Sequence, residues 1–243
     1  MYGRQKIAVV IPAYNEERLI QRVLGSVPHY VDWLVLVDDG SVDQTVGLAA
    51  GIQDDRLTIL QHGENRGVGA AIVTGYRKAL SLGSDIIVVI GGDAQMDPDE
   101  MVRLVEPIAA NVADYVKGDR LGHPDVRKRM PSARFWANSV LTRATRFAVG
   151  THQLRDSQCG YTAISAAALR VLPLDKLWPR YGYPNDLLAW LHAYDFRVID
   201  RPVTPIYADE TSHIHPLTIG PTMLYVLARA WMRCSLSGPS VSR

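Results

Sequence analysis

A cluster of acidic and amide side chains follows an apolar run near the middle of the chain. The run Ile86 to Ile90 is entirely aliphatic, and after two glycines Asp93, Gln95 and Asp97 stand at alternate positions. Carboxylate and amide oxygens are the ligands that hard divalent cations prefer. We therefore interpret Asp93 and Gln95 as candidate ligands of Mg²⁺ or Mn²⁺ beside a diphosphate. Asp97, which precedes a proline, is more typical of a helix cap.

The cluster follows a predicted strand that belongs to a regular alternation of strands and helices. Apolar segments predict strands at 6–11, 33–37, 57–60, 86–90 and 114–117. The segments between them predict helices at 16–27, 42–50, 68–82 and 101–109. This alternation indicates an α/β fold with a doubly wound, mostly parallel sheet and helices on both faces. Such sheets bind ligands at the carboxyl ends of their strands.

The alternation breaks after Lys117. Residues 120–135 are basic and loop-like, and the pattern then predicts helices at 135–149 and 184–194, a loop entering a strand at 156–164 and a strand at 196–203. The sequence shows no internal repeat and no low-complexity linker. We interpret residues 1–215 as one domain in two halves, followed by an amphipathic helix and tail at 216–243.

The composition argues against several classes of protein. With 47% hydrophobic and 21% charged residues among 243, the chain is typical of a globular protein with a sizeable core. A formal net charge of +1 gives no electrostatic basis for binding nucleic acid. The two cysteines form no metal or disulfide spacing, and the first residues do not resemble a signal peptide. We expect a cytoplasmic protein.

The turns after the predicted strands carry carboxylates instead of phosphate-binding glycines. Neither the glycine-rich turn of dinucleotide-binding folds nor a P-loop sequence is present. Glu16 follows the first strand, Asp38 and Asp39 the second, and Asp93 the fourth. Carboxylates at strand ends bind ribose hydroxyls, base edges and divalent cations rather than phosphate itself. A nucleotide diphosphate would then be held by a metal ion and arginine.

Five motifs in the right order resemble those of glycosyltransferase family 2. They are VVIPAYNEE at 9–17, LVDDGSVDQT at 36–45, NRGVGAA at 65–71, GDAQMDP at 92–98 and DSQCGY at 156–161. Within that family, the chain is similar to the dolichyl- or polyprenyl-phosphate sugar synthases. The resemblance implies the GT-A fold, in which a donor half, about 1–120, binds a nucleoside-diphosphate sugar and an acceptor half, about 120–215, shapes the acceptor site.

The resemblance also implies roles for residues of the donor half. The residues expected to flank the nucleoside are Pro12, Tyr14 and Glu16. Asp39, next to Asp38, is expected to contact the base or the ribose. Asp93 is the expected main metal ligand, with Gln95 beside it. The family usually has an acidic residue at the first position of this DxD-like motif, where the chain has Gly91. Either water and diphosphate oxygens complete the metal's ligands, which we favour, or the affinity for the metal is low.

A basic segment is the candidate binding site for an acceptor phosphate. Arginine recognises phosphate bidentately and keeps its charge at all physiological pH values. Arg120 matches a basic position of the family after the fifth strand, and Arg129 and Arg134 add further cations. Asn138 lies one helical turn beyond Arg134. For any one of these residues the alternative is an ordinary solvated position, which we favour for Lys128.

Two acidic residues of the acceptor half are further catalytic candidates. Asp156 would orient the sugar or an arginine that binds the diphosphate, or else cap a turn. Asp186 is either the base that deprotonates a hydroxyl acceptor, a sugar ligand or a helix cap. Transfer to a phosphate, which is ionised at neutral pH, needs no base. His213 and His215 stand in a segment expected to form a loop that closes over the donor.

The C-terminal helix offers two alternatives. Arg229 and Arg233 stand among apolar residues, as in a helix that lies in a membrane interface. The same pattern fits a helix that packs on the domain or on a partner chain, including a homo-oligomer. In the first case the protein would attach peripherally to the inner face of the cell membrane.

The sequence therefore predicts a metal-dependent, inverting hexosyltransferase. Its donor would be a UDP- or GDP-sugar and its acceptor a polyprenyl (dolichyl-like) phosphate, in the synthesis of cell-envelope glycans. The alternatives are a soluble or polysaccharide acceptor, or a catalytically silent subunit that binds nucleotide sugars.

Overall fold

The computed structural model describes residues 3–207 and 216–236, with side chains from 220 onward in the second range. Its strands are β1 Ile7–Ala13, β2 Trp33–Asp38, β3 Leu57–Gln61, β4 Ile86–Val89, β5 Tyr115–Asp119, β6 Thr162–Ser165 and β7 Val198–Pro202. They form one sheet in the order β3-β2-β1-β4-β6-β5-β7. The predicted α/β architecture with a mostly parallel sheet is confirmed. His213 and His215 lie outside the described residues.

The predicted helices occur in the expected order, but two short helices were not predicted: Val126–Arg129, in the segment expected to be a loop, and Ala166–Val171. The helices are α1 Ile20–Ser26, α2 Thr45–Ala50, α3 Val68–Ser81, α4 Met101–Ala109, α5 Val126–Arg129, α6 Ser132–Val149, α7 Ala166–Val171, α8 Tyr183–Ala193 and α9 Pro216–Leu236, and 3-10 turns occur at Pro98–Glu100 and Leu174–Lys176. The first helix was expected at residue 16 but begins at Ile20. The backbone N–H groups of Asn15 and Glu16 instead bind the side chains of Ser41 and Thr45, which joins the turns after β1 and β2.

Strand β6 is the feature that sequence reasoning described least well. The pattern predicted a loop entering a strand at 156–164, whereas the strand is Thr162–Ser165 and pairs antiparallel with both β4 and β5. Every other pair in the sheet is parallel. Because β6 runs in the opposite direction, the residues that precede it lie at the edge where β4 and β5 end.

Helices cover both faces of the sheet, as predicted. Alternate residues of β1 belong to the cores on opposite faces of the sheet: Val9 to the core that includes residues of α1, α2 and α4, and Val10 to the core that includes residues of α3, α7 and α8. Residues 86–90 are at most 3% exposed, as expected for a strand buried on both faces.

The C-terminal helix packs on the acceptor half. α9 lies against α6 and α8 and buries Met223, Val226 and Ala230. Among the described residues, no helix is both long and apolar enough to cross a membrane. Of the two alternatives for this helix, the structure shows that the inner face of α9 packs on the domain.

Candidate active site

A cavity of about 770 Å³ opens where β1, β2 and β4 end. Because these strands are parallel neighbours, the residues that follow them reach the same edge of the sheet. The candidate residues of the donor half on its wall are Pro12, Tyr14, Glu16, Asp39, Asp93 and Gln95. The antiparallel direction of β6 brings Gln158 to Gly160 to the same wall. Residues from both before and after residue 120 therefore line the cavity.

Two carboxylates on this wall, Asp93 and Glu16, lie close enough to influence each other. Burial, with the charges of Asp93 and Asp43, raises the pKa of Glu16 to about 7. Oδ1 of Asp93 accepts a hydrogen bond from the backbone N–H of Gln95 at 3.1 Å. Among the described residues, no three His, Cys, Asp or Glu side chains gather into a complete metal site. These oxygen donors fit a hard cation that takes its remaining ligands from water and diphosphate, as Mg²⁺ commonly does.

Gly91 is linked to the orientation of Asp93. A Cβ built on Gly91 would lie 2.7 Å from Oδ1 of Asp93, which is closer than real Cβ contacts. An acidic side chain at position 91 would therefore require Asp93 to move. The Asp93 carboxylate thus occupies space that a side chain at position 91 would need.

Asp39 is held by three donors. Its Oδ1 accepts the backbone N–H of Arg66 at 3.0 Å, and its Oδ2 accepts that of Gly67 at 2.7 Å. Nδ1 of His62 lies 2.7 Å from Oδ1, and Nε2 lies 3.0 Å from Oγ1 of Thr74. Because a carboxylate can only accept, the ring donates to Asp39 from Nδ1. His62 was missed because it belongs to no motif and meets Asp39 only through the fold.

Asp38 does not line the cavity, although it is adjacent to Asp39 in the chain. It is the last residue of β2 and 3% exposed. Its Oδ2 accepts the backbone N–H of Ser41 at 3.1 Å, whereas Oδ1 has no hydrogen-bond partner among the described residues. The structure thus separates the two neighbouring carboxylates and brings only Asp39 to the wall.

Arg120 and Asp156 form a buried ion pair where the two halves meet. Nε of Arg120 lies 2.8 Å from Oδ2 of Asp156 and Nη2 lies 3.2 Å from Oδ1, which is a bidentate geometry. The Asp156 side chain is fully buried. Burial alone would raise the pKa of Asp156, but the guanidinium beside it holds that pKa below its usual value. Arg120 also lines the cavity, so Asp156 orients a cation on the wall.

The other candidate residues for an acceptor phosphate divide into two groups. α6 brings Arg134 and Asn138 to the cavity wall, and the Arg134 guanidinium lies 4.7 Å from the centre of the Tyr207 ring. Arg129, at the end of α5, is exposed and does not line the cavity. Arg120 and Arg134 are thus the predicted cations that the fold brings together.

Asp186 is completely buried and is not part of the cavity wall. Its Oδ1 lies 2.9 Å from Nη1 of Arg233 and 3.4 Å from Nε of Arg229. Its Oδ2 accepts the backbone N–H of Trp178 at 3.0 Å. Both oxygens are therefore engaged inside the domain, where they join α8 to α9. The arginines considered as lipid-facing from the sequence point inward, because the buried carboxylate requires compensation.

A loop before α8 supplies wall residues that sequence reasoning missed. Trp178, Arg180 and Tyr181 all line the cavity. The loop rests on the start of α3, where the backbone N–H of Ala70 donates to the carbonyl of Pro179 at 2.9 Å. The glycines of NRGVGAA permit this close approach, but their partner lies more than a hundred residues away, so no local pattern identifies it.

Comparison with known proteins agrees with this geometry. The family model for glycosyl transferase family 2 matches residues 8–173. A UDP-N-acetylglucosamine–dolichyl-phosphate N-acetylglucosaminyltransferase of Methanococcus voltae is 32% identical over 218 residues, which cover 84% of this chain and 86% of the relative. A polyprenol monophosphomannose synthase of Mycolicibacterium smegmatis is 28% identical, covering 82% of this chain and 77% of the relative.

A solved structure shares the fold. Glucosyl-3-phosphoglycerate synthase from Mycobacterium tuberculosis, in complex with Mn²⁺, UDP and glucosyl-3-phosphoglycerate, superimposes with a TM-score of 0.69 at 25% identity, covering 96% of this chain and 81% of that one. The chain therefore belongs to glycosyltransferase family 2, and it is a glycosyltransferase with the GT-A fold.

Proposed function

We propose that the protein transfers a hexose from a UDP- or GDP-sugar to a polyprenyl phosphate at the cytoplasmic face of a membrane, with inversion and with a divalent metal. The observation that carries the proposal is the single cavity that joins Asp39, Asp93 and Glu16 to the cations Arg120 and Arg134. Relatives named for transfer to dolichyl and polyprenyl phosphates support the acceptor class.

The donor would occupy the carboxylate side of the cavity. Asp39, fixed by its three donors, would accept hydrogen bonds from the base or ribose, with Pro12 and Tyr14 beside the nucleoside. Asp93 and Gln95 would hold Mg²⁺ or Mn²⁺, and Glu16 adds a nearby carboxylate. A metal ion at that place would neutralise charge developing on the leaving diphosphate.

The acceptor phosphate would bind at the cationic side, near Arg120, Arg134 and Asn138. Its ionised oxygen attacks the anomeric carbon while the bond from that carbon to the diphosphate oxygen breaks, and the electron pair leaves with the diphosphate. No proton has to be removed from the nucleophile. This agrees with the absence of a carboxylate base at Asp186, whose two oxygens are engaged, and assigns Asp156 the role of positioning Arg120.

A soluble acceptor is the second candidate function. The observation in its favour is the shared fold with a synthase whose complex contains glucosyl-3-phosphoglycerate. Radiolabelled transfer from UDP- and GDP-sugars to a polyprenyl phosphate and to 3-phosphoglycerate, each with Mg²⁺ or Mn²⁺, separates the two. Labelled lipid product is expected. Product with phosphoglycerate alone would replace the proposal, and donor binding without any product would indicate a catalytically silent subunit.

Replacing His62 with alanine is expected to raise the KM for the donor about ten- to a hundredfold and to leave kcat nearly unchanged, because a hydrogen bond to a charged group contributes about 1.5–3 kcal/mol. His62→Asn, which keeps an N–H donor, should recover part of the affinity. Thr74→Val removes only the partner beyond the ring and is the matched control. Steady-state kinetics decide, and an unchanged donor KM in His62→Ala would refute this positioning role.

The raised pKa of Glu16 predicts a pH-dependent stability. A carboxyl group with a pKa of about 7 in the folded protein and 4.5 when unfolded stabilises the fold below pH 4.5 and loses that contribution as the pH rises through 7. The melting temperature of metal-free wild type should therefore fall more between pH 5 and about 8 than that of Glu16→Gln. If the melting temperatures of the two proteins fell equally over this pH range, the Glu16 carboxyl would ionise normally.

A further inference from the structure

The exposed face of the C-terminal helix α9 is apolar, although the helix also buries apolar residues against the domain. Arg229 and Arg233 turn inward to Asp186. Every exposed residue of α9 from 220 onward is uncharged, and the large ones are Leu224, Tyr225, Trp231, Met232 and Leu236. A helix that faces water normally exposes its charged residues and buries its apolar ones. This face is built to meet an apolar environment.

α6 presents a second uncovered apolar stripe. Trp136, Val140 and Phe147 are 56%, 60% and 81% exposed, and their spacing places them on one side of the helix. α6 and α9 pack against each other, and Val149 and Ala230 belong to one buried cluster. Two neighbouring helices thus each expose large apolar side chains, a combination that marks an interaction surface.

The charges around this surface select among partners. Neither 126–149 nor 216–236 contains an acidic residue. The exposed cations of the first segment are Arg127, Lys128, Arg129 and Arg143. A second copy of the same surface would bring cations against cations. Anionic lipid headgroups would complement these exposed basic residues, and Trp and Tyr side chains favour the membrane interface.

The same helices reach the cavity. Arg134 and Asn138 of α6 and Thr222 of α9 line its wall, while Trp136 of α6 is exposed. A phosphate group at the surface of a bilayer bound to these helices would lie next to the cationic side of the cavity. This step rests on the proposed function.

We propose that the exposed faces of α6 and α9 form a docking surface for a bilayer that contains anionic phospholipid. The apolar side chains enter the interface, and the basic residues at 127–129 and 143 bind headgroups. Arg129, which is absent from the cavity wall, acquires a role in this arrangement.

Co-sedimentation with vesicles tests the proposal. Wild type should bind vesicles of phosphatidylcholine and phosphatidylglycerol, bind phosphatidylcholine alone more weakly, and be released by added salt. The double variant Phe147→Glu/Leu224→Glu should bind at least about tenfold more weakly. Val112→Glu is the matched control, because Val112 is 56% exposed and lies in the turn after α4, outside both helices. Circular dichroism melting curves confirm that each variant is folded.

An activity measurement separates this proposal from the proposed function. Transfer to a short isoprenyl phosphate that dissolves in water should be equal in wild type and the double variant, whereas transfer to a long polyprenyl phosphate in vesicles should fall with binding. Failure of wild type with both acceptors would refute the function and leave the vesicle result to decide the docking surface. Vesicle binding by the double variant equal to that of wild type would overturn the docking proposal. So would a wild-type dimer that the double variant converts to monomers, since the face would then be a self-association surface.

Discussion

Asp93→Ala is expected to lower kcat/KM for sugar transfer at least about 10²–10³-fold, which is the loss typical when one preorganised electrostatic contact to a developing anion is removed. Asp93 lines the cavity beside Gln95 and close to Glu16. If it holds the metal, the variant should also lose the rise in melting temperature that Mn²⁺ with UDP gives to wild type. Measuring both kcat/KM and the melting temperature with Mn²⁺ and UDP distinguishes a ligand of the metal from a residue that only stabilises the fold.

Asp97→Ala is the matched control for Asp93→Ala. Asp97 lies four residues further along the chain, and its Oδ1 accepts the backbone N–H of Asp99 at 3.0 Å, capping the 3-10 turn as predicted. Its loss should lower the free energy of unfolding by about 1 kcal/mol and leave transfer intact. Equal activity of Asp93→Ala and wild type would exclude the metal-side role of this stretch.

The candidate residues of the donor half could be predicted because each is identified by its position a few residues after a predicted strand. Each carboxylate on the wall follows a buried strand by a few residues, and parallel neighbours bring those positions to one edge. Asp39 and Asp93 are found in this way from periodicity and residue type alone. What the pattern could not distinguish was Asp38 from Asp39, since one register position decides which of two adjacent carboxylates faces the cavity.

The acceptor half could be predicted only in part because its contacts join distant segments. Asp186 has the residue type and family position of a base, but Arg229 and Arg233 arrive from α9 and engage it. The partner of Asp156 is Arg120, and α5 and α6 lie between the two residues in sequence. They come together because β6 runs antiparallel to β5, so that the residues before β6 lie next to those after β5. No period or motif encodes such pairs, and they appear only once the chain direction of β6 is known.

The ion pair of Asp156 with Arg120 carries the largest expected effect on stability. Asp156→Ala leaves the Arg120 guanidinium, whose side chain is 16% exposed on the cavity wall, without its counter-charge. This should cost about 3 kcal/mol of unfolding free energy in chemical denaturation, the lower end of the loss for a fully buried pair. Because the pKa of Asp156 is held below its usual value, this contribution is present at neutral pH and is lost as the pH falls through the folded pKa. Asp175→Ala, which breaks an exposed pair with Arg77, should cost about 0–1 kcal/mol.

A double variant separates the structural role of this pair from its role in transfer. Replacing a buried ion pair by apolar residues of similar volume is often neutral, so Arg120→Met with Asp156→Leu should recover most of the stability lost in Asp156→Ala. It should not recover transfer, because the cavity then lacks the guanidinium proposed to bind phosphate. A stable double variant with wild-type kcat/KM would show that the pair only holds the two halves together. A stable but inactive one would place Arg120 in the binding of the acceptor or the diphosphate, with Asp156 as the residue that keeps it in position.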